Sequence, residues 1–79
     1  MANILTENIR ILLFPINQYD RRKNAEFIEN SVFTAYEFQL FLQTNEKVLA
    51  YRLTDFMDLC NDENFNVDTY WLSYITIKN

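Results

Sequence analysis

The chain has 79 residues, enough for one small domain spanning residues 1–79, because a chain of this length covers only about 60% of its unfolded surface on folding. Hydrophobic residues make up 49%, but the absence of histidine and glycine excludes histidine-based acid–base catalysis, histidine metal ligands and glycine-rich phosphate loops. Eleven acidic and seven basic side chains give a net charge of -4, which disfavours direct binding of nucleic acid and favours a host protein with a basic surface as partner.

The cysteine content and the N-terminal sequence predict the location of the protein. Cys60 is the only cysteine, so no internal disulfide can form, whereas small secreted domains are usually rich in disulfides. The first apolar run is interrupted by Arg10 and Pro15, unlike the long apolar region of a signal peptide or a membrane span. We therefore expect a protein of the cytoplasm that does not enter a membrane.

The first predicted element is a strand over residues 8–16, a short run rich in isoleucine and leucine. Pro15 lies near its end and cannot donate to a sheet ladder, which predicts an edge or terminal strand. Residues 17–31 are mostly polar and indicate a loop that contains about one helical turn.

The middle of the chain predicts a β-hairpin. Residues 32–43 alternate with period two, and residues 48–53 favour a second strand after a four-residue turn. The alternative is a helix across part of residues 21–43, since this stretch contains no glycine or proline. The apolar face of that helix would consist of Ala25, Ile28, Val32 and Ala35.

The last third of the chain predicts a helix and a strand. Thr54 is a suitable N-cap and Asp55 suits the first turn, so a short helix is expected to about residue 63. Residues 67–78 carry large apolar groups on both faces, which is typical of a strand in the centre of a sheet or against a partner. The predicted fold class is α+β: a small single domain with a mainly antiparallel sheet of about four strands and one short helix, about 54–63, packed on it.

Acidic residues are concentrated in one segment. Residues 54–68 contain five carboxylates and no lysine or arginine, whereas residues 10–23 contain four cations and one acid. An acidic helix with its following loop is typical of a surface that docks on a basic site, although an ordinary solvated helix face is the alternative. The predicted partner-binding carboxylates are Asp55, Asp58, Asp62, Glu63 and Asp68.

Aromatic residues of the last strand form a second candidate surface. Trp71 is expected in the core, whereas Tyr70 and Tyr74 share the opposite face with Leu72. Because tyrosine is enriched in binding hot spots, Tyr70 and Tyr74 are predicted to contact a partner. One of two phenylalanines is expected to extend this surface: Phe33 or Phe41. The alternative function is a structural or assembly subunit that forms a homodimer through this aromatic strand face.

The remaining candidates for chemistry have simpler explanations. Residues 62–68 alternate oxygen-bearing side chains as an EF-hand loop does, but Val67 occupies the position of the turn glycine, so an asparagine-rich turn is expected instead of a calcium site. Cys60 has no histidine to activate it and is predicted to be buried on the helix. We therefore expect no enzymatic activity, no metal and no cofactor.

The segment 53–63, LTDFMDLCNDE, resembles an acidic helix of the antirestriction DNA-mimic family. In overall character, the small, acidic, asparagine-rich and glycine-free chain resembles accessory proteins of phages and mobile elements, in particular anti-CRISPR and antirestriction inhibitors. The resemblance implies a non-enzymatic inhibitor in the host cytoplasm. It would block a host defence nuclease complex by docking its acidic surface on a basic nucleic-acid-binding site.

Overall fold

The computed structural model describes residues 8–19 and 31–78. Its strands are β1 (Ile9–Pro15), β2 (Val32–Thr34), β3 (Leu49–Arg52) and β4 (Tyr70–Lys78). Its helices are α1 (Ala35–Thr44), α2 (Leu53–Cys60) and a short 3₁₀-helix (Val67–Thr69). The α+β fold class is confirmed, but the described residues contain two α-helices where one was predicted.

The four strands form one mixed sheet in the order β2-β4-β1-β3. β1 pairs antiparallel with β3 and β4, and β2 pairs parallel with β4. The inner position of β4 agrees with its two apolar faces. The edge position predicted for residues 8–16 is wrong, because β1 has a neighbour on each side. Pro15 has no backbone N–H to donate to a second neighbouring strand. It needs none, because the pairing of β1 with β3 ends at Leu13 and only β4 lies beside β1 at Pro15.

The hairpin predicted from residues 32–43 and 48–53 is wrong. Only Val32–Thr34 is a strand, and the chain continues directly into α1. The helical alternative is correct for the part of its range that α1 covers, while Ala25 and Ile28 lie outside the described residues. The strand predicted at residues 48–53 is confirmed as β3, which forms one edge of the sheet.

A capping box explains why the chain becomes helical at residue 35. The Thr34 hydroxyl accepts a hydrogen bond from the backbone N–H of Glu37 at 3.1 Å, and the Glu37 carboxylate accepts one from the N–H of Thr34 at 2.9 Å. Two N–H groups of the first turn are thereby satisfied. Phe38, Phe41 and Leu42 then follow the helical spacing and reach the core.

The core lies between α1 and one face of the sheet. Its buried residues are Leu12, Phe14, Phe38, Val48 and Ile75. Trp71 packs against this core, as expected, and its indole N–H donates a hydrogen bond to the backbone carbonyl of Tyr19 at 3.1 Å. Phe33 and Phe41 also pack against it, with ring centroids 5.8 Å apart, so the expectation that one of them extends an exposed surface is wrong.

The opposite face of the sheet is only partly covered. Leu13 is on this face and is 0% exposed, although it does not belong to the core cluster. Because α2 contacts β1 and β3 and contributes no residue to the core cluster, we place α2 over Leu13. Leu72, the β4 residue paired with Leu13, is 53% exposed. The face is therefore covered on its β3 side and open on its β4 side.

Two sequence predictions extend beyond what the structure describes. In the loop predicted at residues 17–31, residues 17 and 18 are in a turn in which the N–H of Gln18 donates to the Pro15 carbonyl at 3.0 Å. The basic residues Arg21, Arg22 and Lys23 lie outside the described residues. Within the described ranges, neither α-helix is long and apolar enough to cross a membrane.

Candidate functional site

Helix α2 separates an apolar stripe from an acidic one. Leu53, Phe56 and Leu59 recur every three residues and are half-buried. Asp55 and Asp58 are exposed and lie outside this stripe, Asp58 on the opposite side of the helix and Asp55 at the edge of the stripe. Since the apolar stripe must face the sheet, the helix necessarily presents these carboxylates to solvent.

The bounds of α2 differ from those predicted. The N-cap is Arg52 and not Thr54, because β3 runs straight into the helix and Arg52 keeps an extended backbone (φ -66°, ψ 158°) without a capping side chain. The helix ends at Cys60, since the N–H of Asn61 turns back to the Asp58 carbonyl at 3.1 Å. Cys60 is exposed at this end, so the prediction of a buried thiol is wrong.

Asparagine and aspartate side chains shape the segment between α2 and β4. Asp62 Oδ1 accepts a hydrogen bond from the N–H of Asn64 at 2.9 Å, and Asn66 Oδ1 accepts one from the N–H of Asp68 at 3.0 Å. These are turn-forming contacts, and they use oxygens that an EF-hand loop would direct at calcium. Within residues 8–19 and 31–78, no group of three or more potential ligands from His, Cys, Asp and Glu could hold a metal ion.

The five predicted carboxylates are all exposed, and none forms an ion pair within the described part of the chain. Asp62 continues the stripe of Asp55 and Asp58, because Asn61 keeps a helical backbone (φ -84°, ψ -7°). Asp68 is at the far end of the segment between α2 and β4, in the 3₁₀-helix that directly precedes β4. We call these residues the acidic surface: Asp55, Asp58, Asp62, Glu63 and Asp68.

A cleft lies where the end of β1 meets the start of β4. It has a volume of about 500 Å³. The N–H of Ile16 donates to the Thr69 carbonyl at 3.0 Å, and this hydrogen bond joins the two walls. The lining residues are Pro15, Ile16, Asn17, Asp68, Thr69 and Tyr70. No local sequence pattern predicts this cleft, because its two walls are separated by 50 residues of chain.

The two predicted tyrosines share one face of β4 with Leu72, but they lie four residues apart along the strand. Tyr70 is half-buried at the start of β4, two residues after Asp68 of the acidic surface. Its ring stacks on Phe65 with centroids 5.6 Å apart. Tyr74 is 47% exposed on the open part of the sheet, close to Leu72 and to Val32 of the neighbouring strand. We call Val32, Leu72 and Tyr74 the open sheet face. Tyr70, Leu72 and Tyr74 thus lie on one face of the sheet, as the alternation predicts, although Tyr70 is less exposed than the other two.

No protein-family model matches the chain, and no curated protein or solved structure is significantly similar to it. Function is therefore inferred from the acidic surface, the open sheet face and the cleft.

Proposed function

We propose that this chain is a non-enzymatic inhibitor that docks its acidic surface on a basic, nucleic-acid-binding site of a host protein. The observation that supports the proposal is that all five carboxylates are exposed and that none is paired with a cation of the described residues. A carboxylate already paired within its own chain has little attraction left for a partner. Unpaired carboxylates retain that attraction and accelerate the encounter with a positively charged site.

The charge density of the acidic surface limits the type of complex. The stripe from Asp55 to Asp62 carries three charges over about 10 Å of helix axis, whereas duplex DNA carries about six charges over the same distance. The surface thus imitates only part of a DNA backbone. It fits a small group of lysine and arginine residues and does not match a whole DNA channel.

The partner class follows from the resemblance to anti-CRISPR and antirestriction inhibitors. A host defence nuclease needs a basic site to hold its nucleic acid, and an acidic protein bound there excludes the substrate without any chemistry of its own. We therefore take the partner to be a host defence nuclease complex, with the inhibitor acting in the host cytoplasm.

The test is binding of the purified chain to a panel of purified RNA-guided nuclease complexes and restriction nucleases at about 50 and 300 mM salt. At least one nuclease is expected to bind the wild-type chain, and more weakly at high salt. The quadruple variant Asp55→Asn, Asp58→Asn, Asp62→Asn, Glu63→Gln is expected to lose binding. The proposal fails if no nuclease of the panel binds, or if the quadruple variant binds as tightly as the wild type.

A matched pair of single substitutions separates local contact from net charge. Asp58→Asn and Glu46→Gln each remove one exposed carboxylate, but Glu46 lies outside the acidic surface, in the turn before β3. Asp58→Asn is expected to weaken binding by about two- to fivefold, and Glu46→Gln by less. Equal effects would mean that only the net charge of the chain matters.

The open sheet face favours a second candidate function, a homodimeric assembly subunit. Val32 is 57% exposed and, like Leu72 and Tyr74, carries no charge. These uncharged side chains can be buried against a second copy without desolvating a charge. Light scattering distinguishes the two functions: a dimer through this face persists at high salt and is lost in Leu72→Glu. It is retained in Leu40→Glu, the same change at a 43% exposed position on α1.

A further inference from the structure

We propose that the cleft between the end of β1 and the start of β4 binds an arginine side chain of the partner protein. This inference rests on the proposed function, because the cleft includes Asp68, one member of the acidic surface. It adds to that function a defined position at which one residue of the partner is recognised.

The described residues that line the cleft offer hydrogen-bond acceptors, and none of them is a cation. Asp68 contributes a carboxylate with no ion pair in the described part of the chain, and Asn17 contributes an amide oxygen. The Thr69 hydroxyl donates its proton to the Asn66 carbonyl at 2.7 Å, so its oxygen can only accept a further hydrogen bond. The Asn17 amide and the Tyr70 hydroxyl also supply donors, but the charge of the Asp68 carboxylate favours a positively charged ligand over an anion.

Apolar and aromatic groups form the rest of the lining. Pro15 and Ile16 provide an aliphatic wall, and Tyr70 provides an aromatic ring. Phe65 stacks on this ring at an interplanar angle of 20°, which fixes its orientation. An arginine suits a lining of this composition, because its guanidinium stacks on aromatic rings and its methylene groups pack against aliphatic side chains.

These features favour arginine over lysine. A guanidinium presents five donors in a plane and stacks on aromatic rings, whereas an ammonium is a compact and strongly hydrated point charge. The cleft has a volume of about 500 Å³ and is open to solvent, so a side chain on the surface of a partner can reach it. The cleft therefore suits an arginine within a protein chain.

The walls of the cleft are held in place before any ligand arrives. The Asp68 N–H donates to Asn66 Oδ1 at 3.0 Å, and the Ile16 N–H donates to the Thr69 carbonyl at 3.0 Å. Pro15 and Tyr70 are also direct partners in the β1–β4 register. Little ordering of the cleft is needed on binding, so less of the interaction is lost to conformational entropy.

The test is an NMR titration of the isotope-labelled chain with N-acetyl-arginine amide at low salt, with N-acetyl-lysine amide as the comparison. Arginine is expected to shift the amide signals of Asn17, Thr69 and Tyr70 with a Kd on the order of millimolar, and lysine to bind several-fold more weakly. Asp68→Asn is expected to weaken arginine binding by about three- to tenfold. Asp55→Asn, the same charge change outside the cleft, is expected to have little effect.

The outcomes of the titration separate this inference from the proposed function. Equal shifts with both probes, spread over all five acidic residues, would show charge attraction without a cleft site and would overturn the inference. It is also overturned if Asp68→Asn binds arginine as well as the wild type. If arginine fails to bind in the cleft but a nuclease is still bound through the acidic surface, only the inference is lost. If arginine binds in the cleft but no nuclease of the panel is bound, only the proposed function is lost.

Discussion

Thr34 and Glu37 exchange hydrogen bonds across the first turn of α1, at 3.1 Å from the Glu37 N–H to the Thr34 hydroxyl and at 2.9 Å from the Thr34 N–H to the Glu37 carboxylate. The pair ends β2 and starts the helix that covers the core. One local contact between two polar, exposed side chains thus decides the position of Phe38, which belongs to the core cluster.

Removing this cap should destabilise the fold measurably. Thr34→Ala is expected to lower the free energy of unfolding by about 1 kcal/mol, because the N–H of Glu37 loses its partner. In a domain of this size the melting temperature should fall by about 4–8 °C. Urea unfolding followed by circular dichroism measures the change.

Thr54→Ala is the matched control for the capping threonine. The sequence predicts Thr54 as an N-cap, but in the structure it is inside α2 and exposed. Its replacement should change the free energy of unfolding by no more than about 0.5 kcal/mol, since alanine is the better helix former. Equal losses for the two variants would contradict the assigned cap positions.

The misassigned strand shows what sequence periodicity cannot resolve. Residues 32–43 alternate with period two, yet Phe38, Phe41 and Leu42 equally satisfy a helical repeat. Between the two patterns, the capping pair of Thr34 and Glu37 favours the helix, and this signal is present in the sequence. The inner position of β1 is different, because it depends on pairing with strands that are distant in the chain.

The acidic surface could be predicted from local sequence, whereas the cleft could not. The exposure of Asp55 and Asp58 follows from the helical spacing of Leu53, Phe56 and Leu59, which local sequence provides. The cleft exists only because β1 pairs with β4 and brings Ile16 to Thr69. No local pattern encodes that contact, so the sequence could predict the charges but not the cavity beside them.

Two paired leucines should show how unevenly the second sheet face is covered. Leu13 and Leu72 are direct partners in the β1–β4 register, but only Leu13 is fully buried. Leu13→Ala is expected to cost about 2–5 kcal/mol, because it leaves a cavity in contact with α2. Leu72→Ala should cost about 0.5 kcal/mol or less. Similar costs in denaturant unfolding would mean that α2 does not cover Leu13.

The thiol of Cys60 should react in the folded protein. Because the side chain is exposed at the end of α2, a maleimide reagent is expected to label the native chain at a ratio of one to one without denaturant. Mass spectrometry measures the labelling, and circular dichroism of the product checks that the fold is kept. A thiol that reacts only after unfolding would place Cys60 in the interior, as the sequence analysis predicted.

Docking of the acidic surface on a nucleic-acid-binding site is tested by competition between the chain and DNA for the nuclease to which the chain binds. Fluorescent DNA is bound to the nuclease, its anisotropy is followed as the chain is added, and the titration is repeated at several DNA concentrations. If the acidic surface occupies the nucleic-acid-binding site, the chain releases the DNA, and the concentration needed rises in proportion to the DNA present. If the nuclease binds the chain and the DNA at the same time, with unchanged anisotropy, the acidic surface does not occupy the nucleic-acid-binding site.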